Sequence, residues 1–262
     1  MSGKAANITI RPATLADASS ITQAHYEALE AYHDFYSTFF KTHPGEFMPG
    51  LTEKALKKTP EERTGGNVFF VAEEVKAVDG VDKRDVVGFV RYEVKGDKEK
   101  AKDSKEDQGK EDKAEKEESP YACKEILQSV WKEFCDVQAA RDTMVEKCAN
   151  GKEHIWIQHL MIRPSHQRRG IGKALLGHVI QRANEGNLDA IIVSSAESFG
   201  LYTKMGFTSR GRYIIDNGHW AREVARVRPG SESDALVERY DGVFEVEDVM
   251  IRPAGKRKVE TT

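Results

Sequence analysis

One stretch, "HIWIQHLMIRPSHQRRGIGKALLGHVIQRA" from His154 to Ala183, limits what this chain can fold into more than any other. It opens as an apolar run, His154 to Ile162, that reads as a strand stopping at Pro164. It closes as a helix whose apolar face is Ile171, Leu175, Leu176, Val179 and Ala183. Between them stand Gln167, Arg168, Arg169, Gly170, Ile171 and Gly172, a basic loop with two glycines at the helix entrance. In such a strand–loop–helix turn the first helical N–H groups have no intrahelical partner, and the positive end of the helix faces the loop. A phosphate is the natural guest, and glycine lets the backbone approach it closely. Two named phosphate loops fail on spacing. Gly172-Lys173 is followed by Ala174 rather than Ser or Thr, with Gln167 where a P-loop needs glycine. A dinucleotide fingerprint needs a third glycine where Leu175 stands.

The rest of the chain alternates between strand and helix patterns. "NITIRPA" (Asn7 to Ala13) reads as a strand, followed by a Thr14/Asp17 capping pair and a helix to about Glu30. "NVFFVAEE" and "DVVGFVRYE" read as two strands joined by a turn in "VDGVDK". Residues 97–118 are almost wholly charged and cannot bury enough apolar surface to order themselves, so they read as a solvated insertion. Helical periodicity returns over 121–149. "DAIIVSS", "RYIID" and "VFEVEDVMIRP" read as later strands, with a short helix in "SFGLYTKM" and a flexible tail over 254–262. This mix predicts one α/β (α+β) domain over 7–253.

Bulk properties exclude several classes. A net charge of −3 and no basic–aromatic surface motif argue against a nucleic-acid partner. No apolar run reaches the ~20 residues of a membrane span, and the amino terminus lacks a secretory h-region. Three cysteines without metal spacing suit a reducing compartment, so the expectation is a cytoplasmic protein, the nucleus also open, with no metal and no membrane partner.

The run "LMIRPSHQRRGIGKALL", the "SSAESFGLYTKMGF" box after it and the opening "ITIRPATLADASSI" together resemble the GNAT superfamily of acyl-CoA N-acyltransferases. The nearest subgroup is the fungal and bacterial small-molecule type with a long helix before the fourth strand. The resemblance implies a mixed, mostly antiparallel sheet of six to seven strands, flanked by helices and splayed in a V between strands 4 and 5. It implies acetyl-CoA as co-substrate, transfer of its acetyl group directly to a primary amine of a small molecule, and a monomer or homodimer. Coenzyme A would be held by Leu160, Met161 and Ile162 on the strand, by Gln167, Arg168, Arg169, Gly170, Ile171, Gly172, Lys173 and Ala174 at the loop, and by Ser195. Tyr202 matches the position whose phenol protonates the departing thiolate.

The proton acceptor is less legible. Relatives often carry it four or six residues before the position of Ile162, where this chain has Gln158 and Trp156. These two, with Tyr36 from the aromatic stretch Tyr32 to Phe40, are the expected acceptor-binding residues. His159 is the catalytic candidate on the same strand. Strict alternation places it with Ile155, Ile157 and Met161, although a bulge would re-aim it. Glu73, Glu74 and Glu93 are alternatives through a bridging water. His166 reads as solvent-facing, and Asp216 and His219 as loop residues. A protein acetyltransferase and a silent acyl-CoA-binding module are the competing functions.

Overall fold

Seven strands pair in the order β1-β2-β3-β4-β5-β7-β6 in the computed structural model. They are β1 (Asn7–Pro12), β2 (Val68–Val78), β3 (Val81–Lys95), β4 (His154–Ile162), β5 (Asp189–Ser195), β6 (Thr208–Asp216) and β7 (Phe244–Arg252). The structure describes residues 7–32, 34–39, 52, 55–57, 67–78, 81–96 and 123–255; the charged insertion at 97–118 lies outside them. Every neighbouring pair is antiparallel except β4–β5. The parallel pair holds only from His154–Ile157 to Asp189–Ile192. Beyond it β4 runs on to Ile162 and β5 to Ser195 without pairing to each other, which is the expected divergence.

Helices α1 (Ala18–Tyr32) and α2 (Gln128–Ala149) cover one face of the sheet, α3 (Ile171–Gly186) and α4 (Ala196–Lys204) the other. The stripe Ile171, Leu175, Leu176, Val179 and Ala183 of α3 is fully buried against Ile155, Ile157, Val90 and Tyr92. Burial of each large aliphatic side chain there contributes about 1.5–3 kcal/mol. The capping pair forms as read: Asp17 Oδ2 accepts from the Thr14 N–H at 2.8 Å, and a one-turn 3-10 helix, Leu15–Asp17, leads into α1.

Three readings need correction. The β2–β3 hairpin is longer than expected, because Val78 and Val81–Lys83 of "VDGVDK" are strand. Two helices, α5 (Asn217–Val227) and α6 (Ser231–Tyr240), fill the stretch between β6 and β7, so Asp216 and His219 are not in a loop. Asp216 is the N-cap of α5 and accepts from the His219 N–H at 2.8 Å. Finally, Ala254 and Gly255, at the start of the expected tail, donate their amides to Asp189 and Asn184.

At the end of β4 the sheet leaves no room for a larger residue on β3. A Cβ added to Gly88 would lie 2.6 Å from Ile162 Cδ1 and 2.8 Å from the Met161 carbonyl oxygen. Gly88→Val is expected to cost about 1–3 kcal/mol by overpacking and to displace the diverging end of β4. Urea denaturation, together with acetyl-CoA binding on the folded fraction, checks both effects. Among the described residues no helix is long and apolar enough to cross a membrane.

Candidate active site

β4 is the strand around which the site is built, and its side-chain alternation changes phase once. Arg91 pairs with His159 and Tyr92 with Ile157, which leaves Gln158 as the extra residue of a β-bulge. Before the bulge Ile155 and Ile157 face α3; after it Leu160 and Ile162 do. Trp156 and Met161 face the opposite side, toward α2 and α1. His159 goes with them. Its ring lies 4.7 Å from His25 of α1 and 6.4 Å from Phe89. The strict-alternation placement of His159 with Ile155 and Ile157 is therefore overturned, because a bulge adds one residue to the period. Burial, with Arg91 nearby, draws the His25 pKa down to about 4. Burial also pulls His159 well below its ordinary value, and His25 and Arg91 add to the shift. Both imidazoles are thus neutral near pH 7, and neither is strongly basic.

The loop after β4 begins with a 3-10 turn, Pro164–His166, that folds back toward β2. His166 is buried rather than solvent-facing, with Nε2 3.0 Å from Glu74 Oε2 and Nδ1 2.8 Å from Ser165 Oγ. Arg169 Nη2 donates to Glu74 Oε1 at 2.6 Å, and Lys76 Nζ lies 2.6 Å from Oε2. Lys76 foremost, then Arg169 and His166, hold the Glu74 carboxyl at about 2, against a desolvation that opposes them. Gln167 donates its amide to the Ile162 carbonyl oxygen at 3.2 Å, tying the loop to the end of the strand. Arg168 (φ 62°) and Gly170 (φ 83°) both adopt left-handed backbone, and Gly170 caps α3. No heavy atom lies within 4 Å of where a Cβ of Gly170 would stand. The first α3 bond comes from the Ala174 N–H to the Gly170 oxygen, so the amides of Ile171, Gly172 and Lys173 precede the helical ladder. This fits a pyrophosphate: a run of helix-start amides, open space at the glycine, and an arginine with donors beyond the one Glu74 engages.

The C-terminal end of β5 continues the cleft. Ser195 caps α4, and its Oγ donates to Ser198 Oγ at 3.4 Å. Ser198 in turn hydrogen-bonds the Tyr202 phenol. Tyr202 is only 3 % exposed, and its ring packs edge-on against Phe207 at 5.8 Å. Burial pushes the phenol well above the ordinary tyrosine value, with the Ser198 hydrogen bond working against it, so the group keeps its proton.

The acidic alternatives now separate. Glu73 is held by Arg11 at 2.7 Å and Arg84 at 3.1 Å, and Glu74 by the loop, so neither is available to an acceptor. Glu93 stands at the bulge, where it accepts from Gln158 Nε2 at 2.8 Å. Lys95 Nζ lies 3.6 Å from the Glu93 carboxylate and 3.7 Å above the centroid of Trp156. Trp156, Gln158 and Glu93 thus come together beside the cleft. Of the aromatic stretch, the two described aromatic side chains, Phe35 and Phe39, do not join them. Phe35 and Phe39 are buried with Phe134, Trp220 and Tyr240 in a separate cluster. Tyr36 lies on the 3-10 turn Asp34–Phe39, but its side chain is outside the described residues. A groove of about 480 Å³ between α2, β6 and α5, lined by Asp136, Tyr213, Asp216, His219 and Trp220, contains none of the loop residues.

Residues 137–223, which contain the bulge, the loop and Tyr202, match the family model described as an acetyltransferase (GNAT) domain. That third of the chain is similar to a GNAT acetyltransferase domain. Over 74 residues it is 32 % identical to rat N-acetyltransferase 8B, a match covering 27 % of this chain and about one third of that relative's length (33 %). Among solved structures, a mosquito arylalkylamine N-acetyltransferase like 5b superposes with a TM-score of 0.53 at 11 % identity, over 94 % of this chain and all (100 %) of the other. At that identity the likeness is one of fold. Arabidopsis thaliana NAA60 in complex with a bisubstrate analogue superposes with a TM-score of 0.49 at 13 % identity, covering 95 % of this chain and 99 % of the other. The glycine loop and the tyrosine box were visible in the sequence. In the sequence Glu74 and Glu93 stand only as alternative proton acceptors beside Glu73; the anchoring role of Glu74 and the Glu93–Gln158 pairing were not legible, because the partners lie 95 and 65 residues away along the chain.

Proposed function

We propose that this GNAT domain transfers the acetyl group of acetyl-CoA to the primary amine of a small molecule. The observation that carries the reading is the conjunction of a diverging β4–β5 pair with an amide-rich, glycine-capped start of α3 at its mouth. When bound, acetyl-CoA supplies an activated acetyl thioester. The amides from Arg168 to Ala174, with Arg169, hold the pyrophosphate; the unpaired edge of β4 over Leu160, Met161 and Ile162 receives the pantetheine arm. Ser195 lies on the opposite wall of the cleft. Tyr202, kept protonated by burial, is the proton donor to the departing sulfur. His159 is a packed neutral imidazole beneath the bulge and shapes the floor.

A small amine suits the acceptor side, which α1 flanks on β3 and β4 and α2 on β5 and β7. The rat relative is named an N-acetyltransferase and the mosquito neighbour an arylalkylamine N-acetyltransferase, which supports the same class. Acetyl-CoA at a hundred times its dissociation constant is expected to stabilise the protein by roughly 2.7 kcal/mol, read as a rise in Tm. The double variant Arg169→Ala, Gly170→Asp, which removes a cation and adds an anion at the loop, is expected to show no rise. Equal shifts in both proteins would rule out the loop as the cofactor site.

A further inference from the structure

The structure already shows one ammonium beside the cleft, that of Lys95, lying between the face of an indole and a carboxylate. An aromatic face and a carboxylate together form a general receptor for an alkylammonium ion. The position matters as much as the chemistry. Trp156 and Gln158 are the two β4 residues that precede Ile162 by six and four places, and Glu93 of β3 pairs with Trp156 and accepts from the Gln158 amide. Gln158 leaves its Oε1 buried with no hydrogen-bond partner, an acceptor ready for an N–H donor. Of the three glutamates on β2 and β3 near the site, Glu93 alone has no arginine in a salt bridge with it.

We propose that Glu93 receives the ammonium of the acceptor and takes its proton, with the Trp156 ring and the Gln158 carbonyl oxygen completing the seat, and that Lys95 occupies this seat until the acceptor displaces it. The inference rests on the acetyltransferase reading above. In the step, Glu93 removes one proton from R–NH3+. The neutral amine then forms the C–N bond to the acetyl carbon as the C–S bond breaks. The sulfur takes a proton from Tyr202, the new amide nitrogen gives up its second proton to restore the phenol through water, and Glu93 releases its proton to solvent. One net proton appears per turnover. Gln158 is a positioning residue here, fixing the Glu93 carboxylate on one oxygen.

The test uses the full chain with phenethylamine and spermidine as acceptors, and calorimetry for acetyl-CoA. Glu93→Gln is expected to lower kcat/KM for the amine by about 100-fold or more, within the range of general-base removal, with acetyl-CoA affinity within twofold of wild type. Glu93→Asp recovers part of the loss. Lys95→Met, which vacates the seat, is expected to lower the amine KM by about threefold or more through removal of a competing cation. Glu93→Gln activity within threefold of wild type, or a loss matched by lost acetyl-CoA binding, overturns the assignment. So does an unchanged amine KM in Lys95→Met. Wild type that binds acetyl-CoA but acetylates neither amine also overturns it, while leaving the cofactor site standing. Wild type that fails to bind acetyl-CoA removes the parent reading itself.

Discussion

Glu74→Ala is expected to lower folding stability by about 3 kcal/mol and to remove the acetyl-CoA-induced rise in Tm. The first effect follows from burial: the Glu74 side chain is only 2 % exposed, and Arg169, His166 and Lys76 all converge on it. Removing one member of a buried charge pair typically costs 3–5 kcal/mol, and the partial exposure of Arg169 and Lys76 puts this case near the low end of about 3. The second effect follows from position, since Glu74 on β2 is what holds His166 and Arg169 of the proposed phosphate loop in place. Glu74→Gln separates the two roles, because it keeps the shape and removes the charge. It should fold more stably than the alanine variant and still bind acetyl-CoA more weakly than wild type. The same group predicts a pH response. Its folded pKa, about 2, lies below the ordinary 4.5. Its contribution is therefore complete above about 4.5 and is lost as pH falls toward 2, a window that acid titration of Tm reads directly and that Glu74→Gln should flatten. An acid profile identical in the two proteins would refute this account of the loop anchor.

Phe134→Ala is the second large effect expected, and it addresses the aromatic residues. Phe134 is 1 % exposed and packs against Trp220 at 5.1 Å, Phe39 at 5.4 Å and Phe35 at 6.4 Å. Truncating such a ring costs about 3–5 kcal/mol, the transfer loss plus the cavity. Because this cluster unites α2, α5, α6 and the turn after α1, and includes no residue of the proposed phosphate loop, acetyl-CoA affinity of the folded variant should stay within twofold of wild type. A large change in acetyl-CoA affinity with unchanged stability would instead couple this cluster to the cofactor site.

These two experiments fall on either side of what the sequence makes legible. The glycine loop, β4, α3 and β5 were readable because each declares itself locally: an apolar run that stops at a proline, left-handed glycine at a helix entrance, a stripe at helical spacing. Helix α5 was missed because it opens on Asn217-Gly218 and its buried apolar side chains, Trp220, Ala221 and Val224, form only a short stripe between charged residues. His159 was assigned the wrong face because nothing in "IWIQHLMI" marks where a strand takes an extra residue. That depends on β3 opposite, where Arg91 and Tyr92 skip Gln158. The burial of His166 was invisible for a related reason, since its partner Glu74 lies 92 residues earlier. Patterns within about ten residues were legible; pairings made by the sheet were not.

The bulge at Gln158 has an evolutionary consequence. It resets the alternation so that the two faces of β4 keep different neighbours along its length: Ile155, Ile157, Leu160 and Ile162 answer to α3, and Trp156, His159 and Met161 to α2 and α1. Substitutions in the second group can accumulate without disturbing the first. Under the proposed function, a lineage carrying this strand is free to change which amine it recognises while it inherits its cofactor geometry intact.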